Sequence, residues 1–552
     1  MTSEFESGAR PTGGPIARAN PSWLVILPAL VLLGLALWLP GFAGIGPVDR
    51  DEARFVQATK QMLETGDVVD IRFQDEARHK KPVGIYWLQL AAIAAVGDGA
   101  DSALWVYRLP SLGGALLAVL FTAAIGAAMF DRRTGFLAGA ALATTVVLGV
   151  EARLAKTDAF LLACLVLHQW ALWQLWSTRN AERGPGGWWL IFWLALGAAI
   201  LVKMQVILAL ATVLGLILWE RRVDWLRRLR PLYGLGVLAA MVVPWFVLIA
   251  LQSGGGFFTA SLGEDVFAKV LEGQESHGAP PGTYLVAMWA TAWPWVALVP
   301  LAVAWTWRHR HDDRAGFLVA WVVPFWLLFE LVATKLPHYV LPTYPALAIA
   351  AAAAFFALDR RRPWLIGLPL AVVVAIGGTL AAAAAVLPLL LGEPPSFAIL
   401  AGSALAAVFL FLSVRAAWAG VAGRSVTALG AAALVLYATI FGLVFPGARA
   451  LWISPRMAEA VAIHGTCPTP VVASVGYHEP SAVFLVGTDL RLLSPPAAAA
   501  LLAAEPCALV FVDERHQAAF RAAATTEVRT LDRIDGWRLN GGRWTTLTLY
   551  GK

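Results

Sequence analysis

The stretch KKPVGIYWLQLAAIAAV, residues 80–96, decides how this chain is laid out. From Val83 to Val96 it is apolar, but it is shorter than the roughly 20 residues a helix needs to cross a bilayer, and it opens on two lysines and a proline. If it lies at the interface, the clusters Arg132–Arg133, Arg179/Arg183, Arg221–Arg230, Arg308–Arg314, Arg360–Arg362 and Arg415/Arg424 all fall on the side of the N-terminus. If it crosses, every one of them moves to the outer side, against the positive-inside bias. The sequence therefore predicts an interfacial segment here.

Working outward, apolar runs lie near 23–40, 104–130, 135–150, 158–176, 187–202, 204–219, 231–252, 284–305, 315–333, 339–357, 364–391, 396–415 and 425–445, which predicts about thirteen transmembrane helices. Composition agrees. Of 552 residues 59% are hydrophobic and 14% charged, against roughly 25% charged in soluble domains. Mean hydropathy is +0.68. This excludes a disordered chain, an ordinary soluble enzyme and a nucleic-acid binder. The net charge of +6 belongs to cytoplasmic loops instead. Residues 1–20 are polar and no small-residue cleavage site follows the run Trp23–Leu39, so the first helix is expected to stay, with its N-terminus cytoplasmic.

This topology divides the chain into a cytoplasmic tail (1–20), a membrane domain (21–445) and a tail beyond it (446–552). The segments 41–103 and 253–283 become outward loops. The tail mixes β-rich runs (Val471–Val475, Ala482–Val486, Leu509–Val512, Arg543–Leu549) with helical ones (Ala497–Ala504, Glu514–Ala523), which predicts a small α/β domain. In an oxidising compartment its Cys467 and Cys507 are expected to be bonded. The fold class is thus a polytopic α-helical membrane protein with a C-terminal α/β domain.

Chemistry-bearing residues gather on the outward side. Only eight of the 42 Lys and Arg are lysine, none in a predicted cytoplasmic loop, and Lys80, Lys81, Lys156, Lys203, Lys269 and Lys335 sit on outward segments or outer helix ends. Compact ammonium charges around an anionic ligand explain this, and so does a genome that favours arginine. The first loop carries Asp51-Glu52-Ala53-Arg54, then Met62…Gly66-Asp67, then Lys81-Pro82…Tyr86-Trp87. Val56, Met62 and Leu63 are placed to lay a short amphipathic helix on the membrane. Asp158 opens a helix, where it either caps backbone N–H groups or projects into a membrane-edge cavity. Lys203 interrupts the apolar run Trp188–Trp219, and Lys335-Leu336-Pro337-His338-Tyr339 forms another outer turn. Several cations and two or three carboxylates on one side suit a lipid-linked sugar phosphate: the cations hold the leaving phosphate and a carboxylate orients the acceptor.

These motifs, in order and spacing, resemble the signature of GT-C membrane glycosyltransferases, in particular the lipid A aminoarabinose transferase and protein O-mannosyltransferase families. The resemblance runs over roughly residues 21–360 through Thr157-Asp158-Ala159, Lys203 and Lys335-Leu336-Pro337-His338-Tyr339. It implies a bacterial inner-membrane transferase with an undecaprenyl-phosphate-linked sugar donor, membrane lipids around it, no nucleic acid partner, and lipid A or another envelope acceptor. A protein acceptor is the alternative within the superfamily; a multi-pass transporter or flippase is the alternative outside it. Carried over, Asp51, Asp158 and Glu52 become the catalytic carboxylates. Arg54, Lys81, Tyr86, Lys203, Lys269, His277, Lys335, His338 and Tyr339 become the substrate-binding set. Relatives of the aminoarabinose type can hold a metal between a Glu before Lys-Pro and a later His; here those positions read Lys80 and Asp265. An ionic Lys80–Asp265 link is expected in its place. No cofactor is assigned, and a divalent cation stays open.

Overall fold

A computed structural model describes residues 21–182, 186–204, 206–259, 278–357 and 364–552. Its first helices are α1 (Trp23–Trp38), α2 (Asp51–Thr65), α3 (Gly84–Val96), α4 (Leu104–Met129), α5 (Arg132–Ala143), α6 (Val146–Glu151) and α7 (Asp158–Ser177). There follow α8 (Trp188–Lys203), α9 (Ile207–Glu220) and α10 (Pro231–Gln252). Eight of the described helices are long and apolar enough to cross a membrane: α4, α7, α10, Asp313–Leu331, Pro337–Phe356, Gly367–Leu390, Phe397–Trp418 and Ala422–Gly447. This is a multi-pass membrane protein. The helix α3 has 13 residues, about 20 Å at 1.5 Å per residue, short of a bilayer core.

Two of the apolar runs are broken rather than continuous. The run 135–150 divides at Thr144–Thr145 into α5 and α6. The orphaned Thr144 carbonyl accepts from the Tyr437 hydroxyl and the Thr145 hydroxyl accepts from Trp295 Nε1, so the break leaves these buried groups paired. The run 284–305 divides into helices Thr283–Thr291 and Val299–Arg308 around Pro294.

The helix α2 does not lie on lipid. Met62 packs in a cluster with Phe55, Tyr86, Trp245 and Phe257, and Val56 in another with Ile93, Tyr107 and Phe484. Its amphipathic face meets protein on both sides. The motif residues after it build the exit turn. Gly66 adopts a left-handed φ of 75°, and Asp67 Oδ1 accepts from the Val69 and Asp70 amides at 2.9 and 3.1 Å.

The chain beyond 450 forms a five-stranded sheet. Numbering after the small hairpin β1 (Arg72–Phe73) and β2 (Glu76–Ala77), its strands are β3 (Val471–Val475), β4 (Arg491–Leu492), β5 (Ala508–Asp513), β6 (Arg529–Arg538) and β7 (Arg543–Gly551), in the order β4-β3-β5-β7-β6. The first three are parallel; β7 runs antiparallel to β5 and β6. Helices Ile453–His464, Pro480–Val486, Pro495–Ala504 and Gln517–Ala523 accompany the sheet. The run 482–486, read from composition as β-rich, belongs to one of these helices: Pro480 fits a helix's first turn, where its missing N–H costs nothing. The long strand β6 escaped the sequence reading because charged residues interrupt its apolar alternation. Cys467 and Cys507, which precede the adjacent strands β3 and β5, are disulfide-bonded with Cα atoms 6.1 Å apart.

This region is locked onto the first loop. Gln57 Nε2 donates to the Thr488 hydroxyl, which donates to Glu64; Gln74 donates to the Thr488 and Leu490 carbonyls. Asp49 Oδ1 accepts from the Ser481 amide at 3.0 Å. Burial pushes the Asp49 carboxyl up to about 6 from its ordinary 3.8. Between these values the folded chain keeps a proton that the unfolded chain has released, so this contact loses stability as pH rises through that window. Asp49→Asn keeps the acceptor without the buried charge. We expect it to raise stability near neutral pH by about 1–2 kcal/mol, and not at all below about pH 4. Thermal unfolding at the two pH values checks this; an equal gain at both would contradict it.

Candidate active site

The site is built where three segments meet: the start of α2, the stretch Glu151–Asp158, and the last turn of α8, which ends on Lys203. A buried clamp holds the first two together. Arg108, fully buried inside α4, donates through Nε and Nη2 to the two Glu52 oxygens at 2.8 and 2.9 Å. Its remaining N–H groups go to the carbonyls of Phe42, Ile45 and Gly46, which end the first-helix segment. Glu52 also accepts from the Val48 and Ala155 amides. Every donor of the guanidinium is used, and the carboxylate ties the first loop to the turn before α7. Glu52, expected among the catalytic carboxylates, is occupied in this clamp on both oxygens and acts as a positioning residue.

Asp51 is its opposite. Neighbouring residues on a helix point about 100° apart, so while Glu52 faces inward Asp51 stays accessible. Among the described residues it makes no hydrogen bond. Burial of its surroundings works to raise the carboxyl, but Lys156 and Arg78 outweigh that and hold it below the ordinary carboxylate range, with Lys203 adding to them. Asp51 is therefore ionised at neutral pH. Arg54 lies three residues on along α2, half-buried on the same side, with no ion pair among the described residues. Arg50, immediately before the helix, has φ 73°, a conformation a non-glycine residue seldom adopts and one met at functional sites.

Asp158 does not cap its helix. It is the first helical residue, and its Oδ1 accepts from Lys203 Nζ at 2.6 Å. Lys156 Nζ lies 3.7 Å from Asp158 Oδ2 and 3.0 Å from Glu151 Oε1. His338 stands between the two carboxylates, 3.7 Å from Glu151 and 3.8 Å from Asp158. Burial works against the Lys156 ammonium, but Glu151, Asp158 and Asp51 outweigh it and hold it charged, above its ordinary value. The Lys203 ammonium also lies 5.8 Å over the Tyr339 ring. Gly84 closes the arrangement: a Cβ there would come within 2.7 Å of the Leu201 carbonyl, so α3 approaches the end of α8 only as glycine allows, three residues after Lys81 in the chain.

The remaining expected residues divide. Lys335, expected as a phosphate ligand, donates to the carbonyls of Phe329, Glu330 and Val332 at 3.3, 2.9 and 2.7 Å. It is buried and closes the end of helix Asp313–Leu331, where freed carbonyls attract a cation. Tyr86, expected to line the site, is fully buried beside Phe55, ring centroids 5.5 Å apart; it backs the wall on which Arg78 stacks, 4.9 Å over Phe55. Lys269, His277 and Asp265 lie outside the described residues, and the Lys80–Asp265 link with them. Sequence reasoning left out Arg78, Arg108 and Glu151 as site residues. A lone arginine inside an apolar helix was an available signal for Arg108, since ionisable groups at membrane depth are rarely idle. Among the described residues no group of three or more His, Cys, Asp or Glu has a metal-holding arrangement.

Comparison with known proteins bears on this geometry. Residues 80–248 match the family model described as dolichyl-phosphate-mannose-protein mannosyltransferase. The crystal structure of ArnT from Cupriavidus metallidurans bound to undecaprenyl phosphate superposes with a TM-score of 0.75 at 18% identity, covering 95% of this chain and 98% of that one. The two chains share one fold. In sequence, the undecaprenyl phosphate-α-4-amino-4-deoxy-L-arabinose arabinosyl transferase 1 of Pseudomonas fluorescens is 27% identical over 339 residues, 60% of this chain and 58% of that protein. The corresponding protein of Erwinia tasmaniensis is 28% identical over 319 residues, 57% and 54%. The chain thus matches a little over half the length of these curated relatives. Its resemblance to GT-C glycosyltransferases, read from the first loop, is borne out.

Proposed function

We propose that this chain is a membrane glycosyltransferase that moves a sugar from an undecaprenyl-phosphate carrier to lipid A or another envelope glycolipid. It works on the periplasmic face of a bacterial inner membrane. The N-terminus is cytoplasmic, residues 21–445 form the transferase domain with thirteen crossings, and residues 446–552 are a periplasmic domain. The shorter helices α1, α8 and α9 and the two broken runs make up the crossings beyond eight. The activity for which the curated relatives are named supports this donor, and so does the undecaprenyl phosphate bound in the ArnT structure.

One observation supports the reading: an accessible, ionised Asp51 without a hydrogen-bond partner among the described residues, beside a paired Asp158–Lys203 and the cations Lys156, Arg78 and Arg54. The reaction is a single displacement with inversion. The acceptor oxygen forms a bond to the anomeric carbon as the bond from that carbon to the phosphate oxygen breaks, and the electron pair leaves on the phosphate. Arg54, Lys81 and Lys203 stabilise the charge that grows there, a task for donors fixed in advance. Asp51 orients the acceptor and takes its proton where it is a hydroxyl. An acceptor phosphate is already ionised and yields none. Asp158 holds Lys203 in place through their 2.6 Å contact.

The mannosyltransferase family match favours a second reading, transfer to protein serine or threonine. Membranes containing the chain, the lipid-linked donor, lipid A and a periplasmic protein extract separate the two. Mass spectrometry should find one added sugar on lipid A and none on protein. Sugar on protein alone would select the second reading; none on either would remove both.

A further inference from the structure

At the end of α7 opposite Asp158 lies a second polar site, a small open hollow between α7, α9 and the turn Asp224–Leu229. Most charges on its wall are matched. Arg179 pairs with Glu220 at 2.6 Å and with Asp313 at 2.9 Å. Arg222 pairs with Asp224 at 2.9 Å, but both are more than half exposed, so their bond is weak and easily exchanged. Arg228 is different. One of its terminal nitrogens donates to the Ala181 carbonyl, while Nη1 is buried and has no hydrogen-bond partner among the described residues. A buried guanidinium N–H without an acceptor is costly, and an oxygen-rich anion in the hollow removes that cost.

The surroundings select which anion. Between Arg221 and Arg230 five arginines stand against one acid, Asp224, and Trp225 forms a buried floor. Close by in the chain, Leu218 on α9, Val223 in the link after it and Leu232 at the start of α10 are 67%, 55% and 81% exposed. A free phosphate makes no use of such a margin, whereas acyl chains do. Basic pockets between membrane helices are a known setting for anionic headgroups.

We infer that this hollow binds the headgroup phosphate of an anionic glycerophospholipid, held by Arg228 with Arg222 turning from Asp224 to join it. The site is separate from the transferase site, and its test does not depend on transfer. The full-length chain, stripped of lipid in detergent, is titrated with short-chain phosphatidylglycerol, phosphatidylcholine and inorganic phosphate, with native mass spectrometry and thermal unfolding as readouts. Phosphatidylglycerol should bind and raise the unfolding midpoint, and Arg228→Ala should weaken it about tenfold. Arg222→Gln, an exposed change that leaves folding intact, should weaken it about threefold. Equal binding of phosphatidylcholine, an equal effect of inorganic phosphate, or undiminished binding in Arg222→Gln together with a folded Arg228→Ala would overturn the assignment. If Arg228→Ala does not fold, undiminished binding in Arg222→Gln alone overturns it.

Discussion

Glu52→Ala is expected to unseat the first loop. The substitution leaves the Arg108 guanidinium fully buried with two donors unanswered, and the Val48 and Ala155 amides lose their acceptor as well. Breaking a buried pair from one side costs about 3–5 kcal/mol, because the surviving charge has no water to return to. Arg108→Lys should fail nearly as badly: three donors on a flexible stem cannot replace five in a rigid fork that reaches three carbonyls and a carboxylate. The measurements are the unfolding midpoint and limited proteolysis of residues 41–78. Transfer should vanish with the fold of the loop, since both Glu52 oxygens serve protein donors. Glu52→Gln, which keeps the acceptor geometry on one oxygen, should fall between. Wild-type stability in Glu52→Ala would mean that the clamp is dispensable.

Asp51→Asn should do the reverse, sparing the fold and removing the chemistry. The side chain makes no hydrogen bond among the described residues, so the substitution breaks none, and Glu151 and Asp158 still face Lys156. We expect an unchanged unfolding midpoint and transfer reduced about 10²-fold or more, the usual weight of a positioned acid or base. Its pH behaviour is specified too. With the carboxyl held below its ordinary value, Asp51 stays ionised down through mildly acidic pH. The wild-type rate should therefore show no loss from this group between about pH 5 and 8, and should fall only below its depressed value. Near-wild-type transfer by the variant would remove Asp51 from the mechanism.

Local chemistry was legible in the sequence where it was written in neighbouring letters. Asp51 and Arg54 share a helix face, and Lys203 marked a break in the apolar run, which the structure places at the end of α8. Roles that depend on which way a side chain turns were not legible. Glu52 follows Asp51 directly, yet helical geometry sends the two to opposite fates. Lys335 was expected as a phosphate ligand from the family resemblance, but three backbone carbonyls at the end of its own helix accept from it. The environment of α2 was also hidden: an amphipathic face declares that it will be covered, not whether lipid or protein will cover it. Its partner around Phe484 lies more than four hundred positions away, out of reach of any local pattern.

That distance has a consequence for biosynthesis. Gln57 and Thr488 are 431 positions apart. At about 5–20 residues per second, a ribosome needs roughly 20–90 s to travel from one to the other. Throughout that interval the loop bearing Asp51 has been made but lacks its seat. The nascent chain thus lacks this contact while most of its helices enter the bilayer, and a chain that stalls before the sheet is complete would be released with its helices in place and its first loop unmoored.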